Sequence, residues 1–284
     1  SGDVSIKTLF DNTSDISGTS GIDLSNMAFL CCRGGWPLSV GMDEEIALDQ
    51  AFDYVDAVEH RDIQKVDGVE REPSRVHRLL RSYARHQGSQ ANLSVIRQDL
   101  SSNEGDKFDT DTISSYIKAL KDIFVVEDVE AWNPNLRSKT AIRTSDTRYF
   151  TDPSIATAAL GLGPNDLIND LNTFGLVFET LCIRDLRVYA EANDGKVYHY
   201  RDKNGLECDA VIHLRNGSYG LVEIKLGGDR LINEGAKTLK ELADKIDTDK
   251  MKAPSFLMVL TAVGEYAYRR EDGVYVVPIG TLKD

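Results

Sequence analysis

The chain of 284 residues is 41% hydrophobic and 28% charged, an ordinary balance for a globular protein with one large core or two modest ones. No apolar run approaches the roughly 20 residues needed to span a bilayer, and the N-terminus lacks the pattern of a signal peptide. The net charge of −13 at pH 7 excludes a protein that is basic over its whole surface. We therefore expect a cytoplasmic protein with no membrane partner.

The negative charge is concentrated in the N-terminal part of the chain. Residues 1–174 carry 17 basic and 28 acidic residues, a net charge of −11, whereas residues 175–284 carry 16 and 18, a net charge of −2. Acidic surfaces are repelled by phosphate backbones, so non-specific binding of nucleic acid is disfavoured for the first part. The objection is weaker for the second part.

The four cysteines form no metal-binding pattern. Cys31 and Cys32 are adjacent, and Cys182 and Cys208 each stand among apolar residues. None has the Cys-X-X-Cys spacing of a zinc or redox site. Buried free thiols in a reducing compartment are therefore expected.

The N-terminal part is predicted to be mainly helical. Apolar residues recur at helical spacing in residues 43–57, 72–87, 92–100 and 110–122. Alternation of apolar and polar residues then predicts strands over residues 123–132 and 140–150. Three helices followed by a two-stranded wing are typical of a winged helix-turn-helix. A short helix opening at Pro153 and a glycine-rich linker place the predicted domain boundary near residue 165.

The third helix of this unit, residues 110–122, is poorly suited to DNA. It offers Lys118 and Lys121 against three aspartates at its two ends, and acidic groups facing phosphates are unfavourable. A packing or partner module is therefore the favoured interpretation. The one basic patch is the helix around Arg78 and Arg81, which are candidate nucleic-acid contacts. The alternative is a solvated helix face paired with the acidic stretch before it.

Residues 196–226 contain two strand-like runs that carry charge within an apolar alternation. Glu207 and Asp209 stand between apolar residues in the first run, and Glu223 and Lys225 do so in the second. Side chains alternate across a strand, so each strand has an apolar face and a charged face.

The turn between the two runs decides whether the acids can meet. A two-residue loop would place Asp209 opposite Ile224 and send the acids to different faces. A three-residue loop over residues 215–217 places Asp209 and Glu223 on one face, and it ends at Gly217, where a left-handed conformation is needed. We favour the three-residue loop because it also unites the apolar faces.

Two carboxylates and a lysine at one place are suited to a divalent metal and a hydrolytic water. Carboxylate oxygens are ligands for Mg²⁺ or Mn²⁺, and a bound metal lowers the pKa of its water. Lys225 would orient that water, and Glu207, on the face of Asp209, is a spare ligand. The alternative is a hairpin whose charges are simply solvated.

The element order resembles the PD-(D/E)XK nuclease-like fold, whose core runs helix, three strands, helix, strand. Here the helices are predicted at residues 175–186 and 234–246 and the last strand at 255–261. More narrowly, the chain is similar to the C-terminal region of bacterial AAA-type ATPases that carry a DUF4143 domain. The matching motifs are Arg33-Gly-Gly-Trp-Pro37, Gly175-Leu-Val-Phe-Glu179, Arg201-Asp-Lys-Asn-Gly-Leu-Glu207-Cys-Asp209 and Glu223-Ile-Lys225.

The resemblance implies an α+β or α/β chain with two domains. Residues 1–165 would form the helical, winged-helix-like domain, and residues 166–284 a restriction-endonuclease-like domain with a mixed sheet flanked by helices. Because no Gly-X-X-X-X-Gly-Lys-Ser/Thr occurs, ATP would bind only to an ATPase domain absent from this chain. The opening Ser1-Gly2, without a methionine, also predicts a fragment. The ATPase domain of the parent protein is the expected partner.

The resemblance also assigns roles to residues. Glu179 would join Asp209 and Glu223 in holding Mg²⁺ or Mn²⁺, Lys225 would serve the attacking water, and Arg201 would contact phosphate. His199 and His213 are interpreted as structural.

Three functions follow from these observations. The first is a metal-dependent phosphodiesterase acting on nucleic acid. The second is a catalytically inactive nuclease-like module for protein interaction or for regulation of the ATPase, since a shared fold does not establish activity. The third is a DNA-binding regulator acting through the winged helix. Substitution of Asp209 separates the first two.

Overall fold

A computed structural model describes residues 4–11, 16–101, 109–134 and 145–284. The chain divides into two compact units. Unit 1 contains the described residues within Ser1–Met27, Val129–Asp146 and Leu181–Asp284, and unit 2 those within Ala28–Asp128 and Thr147–Thr180. Each unit has a buried apolar cluster of its own.

In unit 2, the helices predicted at residues 43–57, 72–87, 92–100, 110–122 and from Pro153 begin and end close to those positions. The helix Leu24–Arg33 was not predicted, and the helix Pro164–Asn169 lies where a linker was predicted. Their sequence signals are local: the side chains of Asn92, Asp109 and Asp152 each accept a hydrogen bond from a first-turn N–H, and proline opens three of the helices. A π-helical turn, Val58–Asp62, follows the first long helix. The α-helices are the end of α2 (Leu24–Arg33), α3 (Glu44–Ala57), α4 (Pro73–Arg85), α5 (Leu93–Leu100), α6 (Thr110–Asp122), α7 (Pro153–Leu160), α8 (Pro164–Asn169) and the start of α9 (Leu171–Ala192).

The predicted wing is shorter than expected in the part of it that the structure describes. Val126 and Phe150 form an isolated antiparallel bridge, and the Glu127 N–H donates to the Tyr149 carbonyl at 2.9 Å. Residues 140–144 of the second predicted strand lie outside the described residues. The described flanks form isolated bridges and not a regular ladder.

The Arg33-Gly-Gly-Trp-Pro37 motif is a docking turn within unit 2. Gly34 adopts a φ of +75°, which glycine allows without strain. The Gly35 N–H then donates to Asp152 Oδ2 at 2.9 Å, and Trp36 Nε1 donates to Ser154 Oγ at 2.9 Å. The motif is therefore held by the N-terminal end of α7.

Unit 1 contains a mixed six-stranded sheet and helices that flank it. The elements are β1 (Val4–Ser5), α1 (Ile6–Phe10), the end of α9 (Leu171–Ala192), β2 (Gly195–Arg201), β3 (Glu207–Leu214), β4 (Tyr219–Lys225), α10 (Asp229–Lys245), β5 (Phe256–Thr261), β6 (Tyr268–Arg269), β7 (Tyr275–Pro278) and β8 (Leu282–Lys283). The strands of the sheet have the order β2-β3-β4-β5-β7-β6. Strands β2, β3 and β4 are antiparallel, β4, β5 and β7 are parallel, and β6 is antiparallel to β7. A separate pair, β1 and β8, is parallel.

The run from α9 to β5 has the predicted order of helix, three strands, helix and strand. Helix α10 connects the parallel strands β4 and β5, as such crossovers require. Six consecutive residues of β4, from Tyr219 to Ile224, are buried, so both faces of this strand are covered, as is usual next to parallel strands. The alternative of a hairpin whose charges are simply solvated is therefore wrong for Glu223, because helix α10 packs on β4.

The four cysteines are buried thiols outside any disulfide bond, as predicted. Among the described residues, no helix has the length and apolar content needed to cross a membrane.

Candidate functional site

The β3–β4 hairpin has the predicted three-residue loop. The Leu214 N–H donates to the Ser218 carbonyl at 2.8 Å, and Gly217 adopts a φ of +82°. Ala210 pairs with Val222, so the next position along each strand places Asp209 opposite Glu223. The two acids share one face of the sheet, as the pattern of the sequence indicated.

Asp209, Glu223 and Lys225 converge on that face. Lys225 Nζ lies 2.6 Å from Glu223 Oε2 and 3.2 Å from Asp209 Oδ2. Asp209 Oδ2 also accepts a hydrogen bond from the Ile224 N–H at 2.7 Å, so the carboxylate is fixed to the backbone of the neighbouring strand. The lysine ammonium therefore stands between two carboxylates held on adjacent strands.

The three side chains differ in their access to solvent. Glu223 is only 4% exposed, whereas the side chains of Asp209 and Lys225 keep 19% and 23% of their surface exposed. Gly235 of α10 explains the burial, because a Cβ at this position would lie 3.3 Å from Glu223 Cβ and 3.6 Å from Lys225 Cε. The missing side chain lets the helix approach the strand closely.

Burial and charge act together on the protonation of the cluster. Burial, followed by the negative charge of Asp209, raises the pKa of Glu223 well above its ordinary value, although Lys225 works in the opposite direction. Burial alone would lower the pKa of Lys225, but the two carboxylates outweigh it and raise that pKa. The lysine is therefore protonated at neutral pH, and the Glu223 carboxylate takes up a proton at a higher pH than an ordinary glutamate does.

Thr261 is a residue of this face that the sequence analysis missed. It pairs with Lys225 across the parallel strands β4 and β5, so its side chain projects from the same face. Thr261 is 1% exposed, and neither its Oγ1 nor Glu223 Oε1 has a hydrogen-bond partner among the described residues. A lone threonine ending an apolar strand offers no signal of this in the sequence.

Two protein families match the chain. Residues 25–166 match the family DUF8612, described as a domain of unknown function, and this match spans half of the chain. The chain belongs to the DUF8612 family. Residues 174–282 match the family DUF4143, also described as a domain of unknown function, so the predicted DUF4143 resemblance is confirmed for this range. No curated protein and no solved structure matches the chain.

Glu179 lies within the DUF4143 range but in unit 2 of the structure. Its carboxylate accepts a hydrogen bond from the Tyr149 hydroxyl, and the backbone of Gly88, with a φ of +69°, passes beside it. The structure thus gives Glu179 a partner of its own within its unit.

The remaining predicted site residues are engaged or exposed on the surface. Arg201 pairs with Glu207 at 2.8 Å across β2 and β3, and about half of each side chain is exposed. In the DUF8612 range, Arg78 Nε contacts the Ser74 carbonyl at 3.4 Å, and Arg81 is exposed.

The described residues contain no group of three or more His, Cys, Asp or Glu side chains placed to hold a metal ion. The donor set that converges on the DUF4143 sheet is instead two carboxylates and one ammonium group.

Proposed function

We propose that the DUF4143 domain of this DUF8612 protein is a PD-(D/E)XK nuclease-like domain that hydrolyses phosphodiesters of nucleic acid with Mg²⁺ or Mn²⁺. One observation carries the proposal: Asp209, Glu223 and Lys225 converge on one face of a β-hairpin within an αβββαβ run. Carboxylate oxygens with an adjacent lysine are a donor set suited to a hard divalent cation and its water.

The buried polar atoms of the site agree with an additional ligand. Glu223 Oε1 is buried without a hydrogen-bond partner among the described residues, a costly state unless some group binds it. Asp209 and Glu223 would hold the metal, which supplies positive charge beside the phosphate and lowers the pKa of a water. Lys225, released from the carboxylates, would donate hydrogen bonds to that water or to phosphate.

The ligand role that the family motif implies for Glu179 stays a prediction. This role requires its carboxylate to leave the Tyr149 hydroxyl that it accepts from. The pair Glu179→Gln and Tyr149→Phe separates the two roles. A ligand role predicts weaker Mn²⁺ binding for Glu179→Gln and unchanged or tighter binding for Tyr149→Phe.

Contacts to nucleic acid are proposed for Arg201 in the DUF4143 domain. Glu207 neutralises Arg201 at the surface, and exposed pairs of this kind are weak, so a phosphate can replace the carboxylate at small cost. For Arg78 and Arg81 the solvated-face account gains support, because Arg75 of the same helix pairs with Glu72 of the acidic stretch at 3.3 Å. The winged-helix-like N-terminal domain is proposed as a packing module, with the boundary near residue 165.

The alternative function is a nuclease-like module without catalysis that binds or regulates an attached AAA-type ATPase. A specific observation favours it: Lys225 Nζ already contacts both carboxylates, which satisfies the charges without a metal. A cation site therefore predicts that the protein binds Mg²⁺, whereas an ion cluster closed by Lys225 predicts that it does not.

The proposal is tested by hydrolysis of single- and double-stranded DNA and RNA in the presence of Mg²⁺ or Mn²⁺. We expect Asp209→Asn to abolish cleavage while the fold is kept. The matched control is Glu207→Gln, which removes one negative charge from the same strand two residues away and should keep or raise cleavage, because it leaves Arg201 available to phosphate. Absence of cleavage by wild type on every substrate would favour the regulatory module.

A further inference from the structure

Two buried oxygen atoms on the site face have no hydrogen-bond partner among the described residues. They are Glu223 Oε1 and Thr261 Oγ1, and their residues are 4% and 1% exposed. Buried polar atoms are almost always paired in native proteins, and an exception usually indicates a bound water or ion.

The strand register places these two residues on one face of adjacent strands. Thr261 is the direct partner of Lys225, and Glu223 is the partner of Val259. Glu223 and Thr261 are therefore diagonal neighbours on adjacent parallel strands whose axes lie about 5 Å apart. Gly235 of α10 lies against Glu223 and Lys225, and both oxygens are closed to bulk solvent.

A single water fits the chemistry of this place. A buried water needs about two to four polar partners. Glu223 Oε1 and Thr261 Oγ1 provide two acceptors, and Lys225 carries three N–H donors, of which two are directed at Asp209 and Glu223.

We propose that Thr261 is a positioning residue whose hydroxyl holds a buried water against Glu223 Oε1, beside the Lys225 ammonium. The part of this inference that makes the water the nucleophile rests on the proposed function. The presence of the water does not, because the two oxygens require a partner whether or not the domain is an enzyme. Thr261 thus fixes the position of the water, and Lys225 and Glu223 form hydrogen bonds with it.

The first test uses metal-free protein. Thr261→Val keeps the shape of the side chain and removes the hydroxyl, and Thr261→Ser keeps the hydroxyl. If Thr261 holds a water, Thr261→Val loses hydrogen bonds and lowers Tm by about 2–4 °C, while Thr261→Ser stays closer to wild type. If the hydroxyl is merely buried and unpaired, Thr261→Val leaves Tm unchanged or raises it, and the inference is overturned. A crystal structure of wild type shows the same directly: a water bonded to both oxygens supports it, and direct dry packing overturns it.

The second test addresses the reaction. Thr281→Val is the matched control, because Thr281 is a buried threonine of the same unit whose Oγ1 donates to the Pro278 carbonyl at 2.8 Å. We expect Thr261→Val to lower kcat about tenfold and Thr261→Ser to restore it, whereas Thr281→Val lowers Tm alone. Equal kcat for Thr261→Val and wild type overturns the catalytic part. If wild type neither binds Mn²⁺ nor cleaves, the proposed function fails, and the metal-free comparison still decides the water.

Discussion

Lys225 has the largest electrostatic role of any single residue in the site. Its ammonium contacts one carboxylate that is nearly inaccessible and one that is partly exposed. Two buried carboxylates facing each other without a cation are strongly unfavourable, because each raises the free energy of the other's charge in a medium of low polarity. The lysine therefore stabilises the hairpin in the absence of metal, and a metal has to compete with it.

Replacing Lys225 by methionine should expose this role. We expect Lys225→Met to lower the free energy of unfolding by about 3–5 kcal/mol at pH 7, because it leaves Glu223 and Asp209 unpaired. Adding Glu223→Gln to this variant should recover most of the loss. Urea unfolding followed by Trp132 fluorescence in a Trp36→Phe background measures unit 1, since Trp132 lies in its core. A loss below about 1 kcal/mol would contradict the account.

His199 provides a pH-dependent prediction. Burial lowers its pKa from 6.5 to about 4, with Arg201 acting in the same direction and the Ser145 carbonyl in the opposite one. Below pH 6.5 the ring of His199 therefore binds a proton in the unfolded state but not in the folded state. The contribution of His199 to the free energy of unfolding is fully present above pH 6.5 and is lost as the pH falls toward 4, by about 2 kcal/mol between pH 7 and pH 5.

The measurement for His199 is an NMR titration of its ring together with unfolding at the two pH values. His199→Gln is the control, and it should remove this component of the pH dependence. A midpoint near 6.5 for His199 in the folded protein would show that the ring is solvated and would refute the prediction.

Helix α10 determines how deeply the site is buried. Its Gly235 lies over Glu223 and Val259, with ideal Cβ distances of 3.3 Å to each. Both neighbours belong to strands paired on each side, so they have little freedom to move. The same close approach removes Glu223 from solvent and gives it the raised pKa noted above.

Gly235→Ala tests this packing against the helix propensity of alanine. Alanine favours a helix interior by about 1 kcal/mol over glycine, yet overpacking costs about 1–3 kcal/mol, so we expect a net loss of stability. Gly175→Ala in α9 is the control, because its Cβ would meet nothing within 4 Å, and it should stabilise the protein by about 0.5–1 kcal/mol. Stabilisation by both substitutions, measured by urea unfolding, would contradict the tight approach.

The conformation of Gly217 in the hairpin loop is tested by substitution. Gly217 has a φ of +82°, which costs a residue with a side chain about 1–2 kcal/mol, and least for asparagine. Gly217→Ala should therefore destabilise unit 1 by about 1 kcal/mol, and Gly217→Asn by less. Equal losses for the two variants, in the same Trp132 assay, would argue against a left-handed residue at this position.

Local sequence patterns predicted the helices and strands around the site well, but they did not predict the burial of its side chains. Loop length and side-chain alternation fix the register of Asp209 against Glu223 because all the information lies within residues 207–225. The burial of Glu223 and the placement of Thr261 depend on α10 and β5, whose packing has no signature near the acids. The docking of Gly35 onto Asp152 joins residues 117 positions apart, which no short-range pattern predicts.

At the scale of the whole molecule, charge sets the conditions for any nucleic-acid activity. The net charge of −13 repels phosphate at long range, so binding has to come from local contacts and from the metal. A divalent cation on the Asp209–Glu223 face would make the charge at that face attractive to phosphate. The catalytic proposal therefore depends on whether that face binds a cation at all.

Calorimetric titration of Mn²⁺ and Mg²⁺ into wild type, Asp209→Asn and Glu207→Gln tests this claim most directly. We expect saturable binding to wild type, its loss in Asp209→Asn and its retention in Glu207→Gln, because Asp209 contacts Lys225 whereas Glu207 pairs with Arg201 at the surface. No binding to wild type, or equal binding to Asp209→Asn, would contradict a metal centre and leave a lysine-closed ion cluster in a regulatory domain.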